Sequence, residues 1–211
     1  MKEYVYGMFD IPYVPEEILT AARPLVLHIS DTPASSFRFI FRLIQRIEPE
    51  YLIHTGDFVD DIKLENRPGQ VVEYRTKLKK IFRRLEDLPV GKIYLVPGNH
   101  DDRVAVDECI RRSVVLPEKS VIEIEKSYIY VSHYFPKDVF SKDETQSVEG
   151  VDYILFGHAP ILDHQWGDAA MLLNGITAIH VLSISSKRVY SLPYPSGTDS
   201  ARKLLLPKVG M

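Results

Sequence analysis

The sequence is poor in cysteine, and it has neither a long apolar run nor an excess of basic residues. Its 211 residues include a single cysteine, Cys109, which excludes an internal disulfide and favours a reducing compartment. No apolar stretch approaches the roughly 20 residues that a membrane-spanning helix needs. The N-terminal residues lack the basic stretch and apolar run of a secretory signal. We therefore expect a cytoplasmic protein with no membrane partner.

The charge balance and length narrow the class of protein further. The formal net charge is −3, with acidic and basic residues mixed along the chain, which argues against a basic nucleic-acid surface. Hydrophobic residues make up 45% of the chain and charged residues 26%, as in an ordinary globular domain. We predict one domain over residues 25–193, an irregular N-terminal segment (1–24) packed on it, and a C-terminal tail (194–211). Composition leaves the oligomeric state open.

The first half of the chain alternates between short apolar runs and longer amphipathic segments. The apolar runs predict strands over residues 25–29, 51–54 and 92–96. Apolar residues at helical spacing predict helices over residues 35–47 and 70–87. Strands that are apolar throughout and separated by helices indicate a parallel sheet covered on both faces.

The second half contains strands with shorter links. The predicted strands cover residues 121–125, 128–131, 153–156, 170–173, 176–184 and 188–192. This pattern favours a second, more antiparallel sheet. The fold class predicted for the whole chain is therefore α/β with two sheets.

Five apolar runs are each followed by a polar side chain that can bind a metal. These residues are Asp31, Asp57, Asn99, His133 and His158. In open α/β sheets, ligands bind beyond the carboxyl ends of the strands, so we expect the five side chains to converge there. Carboxylate and amide oxygens combined with imidazoles suit a divalent transition metal such as Mn, Fe, Co, Ni or Zn.

The same residues, taken with their neighbours, resemble the signature of the calcineurin-like metallophosphoesterase family. The resemblance spans about residues 25–190. Its motifs are Asp31, Gly56-Asp57-x-x-Asp60, Gly98-Asn99-His100-Asp101, His133 and Gly157-His158. It implies a sandwich of two sheets, the first mixed and largely parallel, flanked by helices.

The resemblance also implies a site for two metals that share Asp57. The second metal of the family would be held by Asp57, Asn99, His133 and His158, and all four are present.

The first metal would use Asp31, Asp57 and two further histidines. One would lie two residues after Asp31 and the other two residues after His158. Those positions hold Pro33 and Pro160, and proline has no side chain that can coordinate. We therefore expect one tightly bound metal and a second that is weak or absent.

The resemblance assigns catalytic roles to two further residues. His100 would protonate the leaving oxygen and help to bind phosphate, and Asp101 would orient it. Asp60 is either an orienting carboxylate or an ordinary turn residue. The implied activity is hydrolysis of a phosphodiester or phosphomonoester by metal-bound hydroxide, on a small or flexible phosphorylated substrate such as a nucleotide.

Two alternatives stay open at this stage. The incomplete first metal site also fits a catalytically impaired scaffold that binds a protein partner or a nucleotide. Among the other histidines, His28, His54 and His180 are predicted to be core residues. His164 is either a loop residue or a replacement ligand for the first metal.

Overall fold

The central strand of the protein, β1 (Leu25–Ile29), is buried along its whole length, as its apolar sequence predicts. The computed structural model describes residues 11–135, 150–159 and 170–202. Within them, β2 (Tyr51–His54) and β3 (Lys92–Leu95) lie parallel to β1 in consecutive order. The carboxyl ends of these three strands therefore meet at one edge of the sheet.

The first sheet has six strands in the described residues. The short strand β4 (Val114–Val115) extends it on one side, parallel to β3. On the other side, β9 (Ile179–Ser183) runs antiparallel to β1, and β10 (Arg188–Leu192) runs antiparallel to β9. The order β10-β9-β1-β2-β3-β4 makes this sheet mixed and largely parallel, as expected.

Amphipathic helices cover the outer face of this sheet. The helix α2 (Phe37–Ile47) follows a 3-10 turn (Ala34–Ser36), and α3 (Val71–Glu86) follows another (Pro68–Gln70). Both helices bury one apolar face in the main core of the protein. A short helix, α4 (Arg103–Cys109), then leads to β4, with Asp102 accepting hydrogen bonds from its first free amides.

The second sheet differs from the prediction. It contains β5 (Ser120–Ile124), β6 (Ser127–Val131), β7 (Tyr153–Phe156) and β8 (Met171–Asn174), in that order. Only β5 and β6 form an antiparallel pair, whereas β6, β7 and β8 are parallel. The prediction of a more antiparallel sheet was wrong because the predicted strands over 176–184 and 188–192 join the first sheet instead.

Residues outside the sheets pack against them at both ends of the described chain. The helix α1 (Glu16–Leu19) inserts Ile18, fully buried, into the main core. The helix α5 (Thr198–Arg202) lies in the region predicted as a tail, and its Arg202 is fully buried. The exact domain boundaries stay a prediction. None of the described helices combines the length and apolar character needed to cross a bilayer.

Candidate metal centre

Four of the predicted metal ligands converge at the carboxyl ends of the strands. The Asn99 Oδ1 atom lies 3.0 Å from His133 Nε2 and 3.1 Å from His158 Nδ1. The two imidazole nitrogens are 3.2 Å apart, and Asp57 Oδ2 lies 3.7 Å from His133 Nε2. One carboxylate oxygen, one amide oxygen and two ring nitrogens thus face a common point, which is the donor set that a divalent transition metal prefers.

Hydrogen bonds orient two of these side chains for coordination. His133 Nδ1 lies 2.7 Å from the carbonyl oxygen of Thr55, which can only accept, so Nδ1 carries the proton and Nε2 offers a lone pair. The Asn99 amide nitrogen donates to Glu65 Oε2 at 2.6 Å, which leaves Asn99 Oδ1 facing the histidines. Glu118 accepts from the backbone N–H of His133 at 3.0 Å and fixes the start of that loop.

The backbone at the site is constrained in the way that close approach requires. Asp31, Asp57 and His158 all have positive φ (49°, 55° and 66°), which is uncommon for residues with a side chain and costs free energy. A Cβ atom added at Gly98 would lie 2.3 Å from Asp57 Oδ1, and one at Gly157 would lie 2.5 Å from Asp31 Oδ2. Gly98 and Gly157 therefore permit a close approach that a Cβ atom would block.

Buried negative charge also fits a cation at this point. Burial raises the pKa of Asp57 well above its ordinary value, and the neighbouring carboxylates of Asp31, Asp101 and Asp60 raise it further. A divalent cation would compensate this charge.

Asp31 lies next to the group of four. Its Oδ2 accepts hydrogen bonds from Ser30 Oγ at 2.6 Å and from the backbone N–H of His158 at 3.0 Å. Pro33, where the family pattern has a histidine, begins the turn before α2 and offers no ligand atom. Pro160 and His164 lie outside the described residues.

His100 also lies close to Asp57. A ring nitrogen of His100 and carboxylate oxygens of Asp57 and Asp60 lie within 4.8 Å of one another. The backbone N–H of His100 donates to Asp57 Oδ1 at 3.0 Å. Burial lowers the pKa of His100 to about 4, and the positive charge of Lys63 contributes to the lowering.

Asp101 connects two of the loops that carry the site. Its carboxylate accepts hydrogen bonds from the backbone N–H groups of Asp57 (2.7 Å), Phe58 (2.9 Å) and Gly98 (2.8 Å), and from the Tyr74 hydroxyl (2.7 Å). These four bonds connect the loops after β2 and β3 to each other and to α3. They hold the backbone of Asp57, Phe58 and Gly98 in place, whereas the orientation of His100 by Asp101 stays a prediction.

The loop between Asp60 and α3 contributes residues that the sequence analysis did not single out. Asp60 is fully buried, its Oδ1 forms an ion pair with the Lys63 ammonium, and its Oδ2 has no hydrogen-bond partner. Burial and the charge of Asp31 raise the pKa of Asp60 to about 7, although Lys63 opposes this shift. Lys63 and Glu65 carry no motif, so only their position in the fold reveals them.

The remaining described histidines lie in the core, as predicted. His28, His54 and His180 are all fully buried. His28 Nε2 contacts Thr55 Oγ1 at 3.0 Å and His54 Nε2 contacts Thr32 Oγ1 at 2.6 Å. The Nδ1 atoms of His28 and His54 have no hydrogen-bond partner.

Known structures share this fold. A structure described as a novel archaeal phosphodiesterase superposes with a TM-score of 0.59 at 16% identity, covering 80% of this chain and 99% of that one. The structure of Yfce, a phosphoesterase from E. coli, superposes with a TM-score of 0.51 at 14% identity, covering 81% and 99%. At such identities the similarity shows the fold alone. A search of curated protein sequences finds no significant match.

The sequence also matches a protein-family model. The model of the calcineurin-like phosphoesterases matches residues 24–162, about two thirds of the chain. The match includes all five strand-end residues and the Gly-Asn-His-Asp motif. The protein therefore belongs to the calcineurin-like phosphoesterase family.

Proposed function

We propose that the protein is a metal-dependent hydrolase of phosphoesters, acting on a small or flexible phosphodiester or phosphomonoester such as a nucleotide. The observation that supports this most is the convergence of Asp57, Asn99, His133 and His158, in which each ligand atom lies 3.0–3.7 Å from at least one other. Membership of the family and the phosphoesterase fold of its structural neighbours agree with it.

One divalent transition metal, bound tightly by these four residues, is the composition that we propose. A second metal would share Asp57 with the first and would add Asp31 as its own ligand, but Asp31 Oδ2 already accepts two hydrogen bonds and Pro33 provides no ligand. We therefore expect the position beside Asp31 to bind a metal weakly or not at all.

A divalent metal at this position supplies positive charge for the phosphate and lowers the pKa of a bound water. The side chains of the protein would then orient the substrate and supply the proton that the leaving oxygen takes up. His100 lies beside Asp57 and outside the group of four, where it can donate a proton to the leaving oxygen. Its pKa of about 4 keeps it neutral near pH 7, and the negative charge of a bound phosphate favours its protonated form.

The test is to measure metal content and hydrolysis of bis(p-nitrophenyl) phosphate and p-nitrophenyl phosphate with Mn, Fe, Co, Ni and Zn. We expect about one tightly held metal per chain and turnover with at least one of these metals. Asp57→Ala should lose metal and activity together. His100→Ala should keep its metal and lose about 10²–10⁴-fold in turnover, the usual contribution of a general acid.

A second candidate function, a scaffold that binds a protein or nucleotide, is favoured by Pro33 and Pro160, which stand where the family pattern has histidines. Pro33→His combined with Pro160→His would restore the two imidazoles that the family pattern contains. If this variant binds a second metal and gains no rate, and the wild type is inactive with all five metals, the scaffold becomes the better assignment.

A further inference from the structure

The loop after Asp60 is held so that its polar side chains lie along the metal centre. Ile62 is buried in the main core and Leu64 packs against it. Lys63 lies between these two residues and Glu65 follows them, and both extend to the opposite side of the loop. There Lys63 forms an ion pair with Asp60, and Glu65 accepts a hydrogen bond from Asn99. The Lys63 carbonyl accepts hydrogen bonds from the backbone N–H groups of residues 66 and 67, which closes the loop into a turn.

The Lys63 ammonium therefore has a defined position at the border of the site. It forms an ion pair with Asp60 Oδ1, and an Asp60 carboxylate oxygen lies within 4.8 Å of ligand atoms of Asp57 and His100. The Lys63 side chain is 21% exposed, so this side chain lies between the buried Asp60 carboxylate and solvent.

The site has more negative than positive charge around it, so a cation there would help a negatively charged substrate to bind. Asp31, Asp57 and Asp60 bring three carboxylates together, and a phosphate ester adds further negative charge. Arg202, another cation near Asp31, is fully buried with its guanidinium bonded to backbone carbonyls, so it cannot meet a substrate. Pro33 removes a ligand of the metal that would otherwise neutralise this side of the site.

We propose that Lys63 binds the phosphoryl group of the substrate, with its ammonium donating hydrogen bonds to a non-bridging phosphate oxygen while Asp60 holds the side chain in place. This proposal rests on the proposed function, because it assigns a substrate contact in the same site. Lys63 supplies a positive charge beside Asp60 in a site where the first metal of the family lacks a ligand at Pro33.

Binding of inorganic phosphate to the metal-loaded protein, measured by calorimetry, tests the proposal without requiring turnover. Lys63→Met should weaken phosphate binding by about 10- to 100-fold, as expected for loss of a hydrogen bond to a charged group, with unchanged metal content. Lys63→Arg keeps the charge and should restore most of the affinity. Lys77→Met is the matched control, since Lys77 pairs with Asp61 and Glu73 outside the site, and it should bind phosphate like the wild type.

Two results would overturn the proposal. One is a Lys63→Met protein that binds phosphate as tightly as the wild type. The other is a Lys63→Met protein that loses its metal, which would show that Lys63 only supports the loop. In an active wild type, Lys63→Met should raise KM more than it lowers kcat. A wild type that binds phosphate through Lys63 and hydrolyses nothing would contradict the proposed function and leave this contact intact.

Discussion

Gly98 lies where two strand-end loops touch. A methyl group there would lie 2.3 Å from Asp57 Oδ1 and 2.7 Å from His133 Cε1. Gly98→Ala should therefore displace two metal-site side chains, reduce metal affinity and cost about 1–3 kcal/mol of stability through overpacking. Metal titration and urea unfolding would measure both effects.

Gly69→Ala is the control for this change, because a Cβ atom at Gly69 meets no atom within 4 Å. It should leave metal affinity and stability close to wild type. Equal metal affinity in the Gly98→Ala and wild-type proteins would contradict the close contact on which the prediction depends.

Glu65 accepts a hydrogen bond from Asn99, one of the proposed metal ligands. Since its carboxylate accepts from the Asn99 amide nitrogen, it keeps Asn99 Oδ1 turned toward His133 and His158. Glu65→Ala should lower metal affinity by about tenfold, the lower end of what outer-shell partners contribute. Glu73→Ala, which removes another exposed carboxylate, should not change it. Identical affinities for the two variants in a metal titration would mean that Asn99 holds its orientation without Glu65.

The contrast between these residues explains what could be predicted from the sequence. Asp57, Asn99 and His133 follow apolar runs directly, so their position at the strand ends follows from the position of the strands. Lys63 and Glu65 lie in a loop whose path depends on the burial of Ile62 and Leu64 in the folded core. No local pattern specifies that path.

Among the strands, β7 shows why the second sheet was predicted incorrectly. Tyr153–Phe156 is buried at every position, which is typical of a parallel strand covered on both faces. Its sequence carried this information, and the links before and after it (residues 132–152 and 157–170) are long enough for parallel connections, so the prediction erred in treating them as short. The pairing of β9 with β1 joins residues that are far apart in the chain, and neighbouring-residue patterns do not reveal such contacts.

The helix α5 holds the backbone of the Asp31 loop, next to the proposed metal centre, through Arg202. The Arg202 guanidinium donates to the carbonyl oxygens of Asp31 (2.6 Å), Ser30 (3.1 Å) and Ile176 (2.7 Å), and it lies 4.2 Å from the centre of the Tyr194 ring. Arg202→Met removes the guanidinium donor from all three buried carbonyls, and only Ser30 keeps another donor among the described residues, the Tyr194 hydroxyl, so the free energy of unfolding should fall by about 3 kcal/mol or more. Urea unfolding would measure the change.

Arg188→Met, at an exposed position of β10, provides the comparison and should change stability little. If Arg202→Met unfolds at the same urea concentration as Arg188→Met, the buried guanidinium does not stabilise the fold.

For the whole molecule, the buried histidines predict a stability that depends on pH. Burial lowers the pKa of His54 to about 3 and that of His28 well below 6.5. As the pH falls, these histidines therefore take up protons in the unfolded chain before they do so in the folded protein. The free energy of unfolding should have its full value above about pH 7 and should decrease below pH 6.5. The slope is at most about 1.4 kcal/mol per pH unit for each histidine.

Urea unfolding of the metal-free protein at pH 7.5, 6.5 and 5.5 would test this dependence. Asp60, whose pKa is raised to about 7, contributes with the opposite sign, so the informative quantity is the difference between the wild type and His28→Gln. The His28→Gln protein should lose less stability between pH 7.5 and 5.5 than the wild type. Parallel curves would show that His28 takes up its proton in the folded protein as well.

The position of Arg202 also determines when the metal centre can form during synthesis. A ribosome adds Asp31 early, whereas the arginine that holds its carbonyl is added 171 residues later. A nascent chain that has reached β10 contains every strand that the structure describes, yet its Asp31 loop still lacks the guanidinium. We therefore expect the Asp31 side of the centre to be the last part to become ordered, after α5 has left the ribosome.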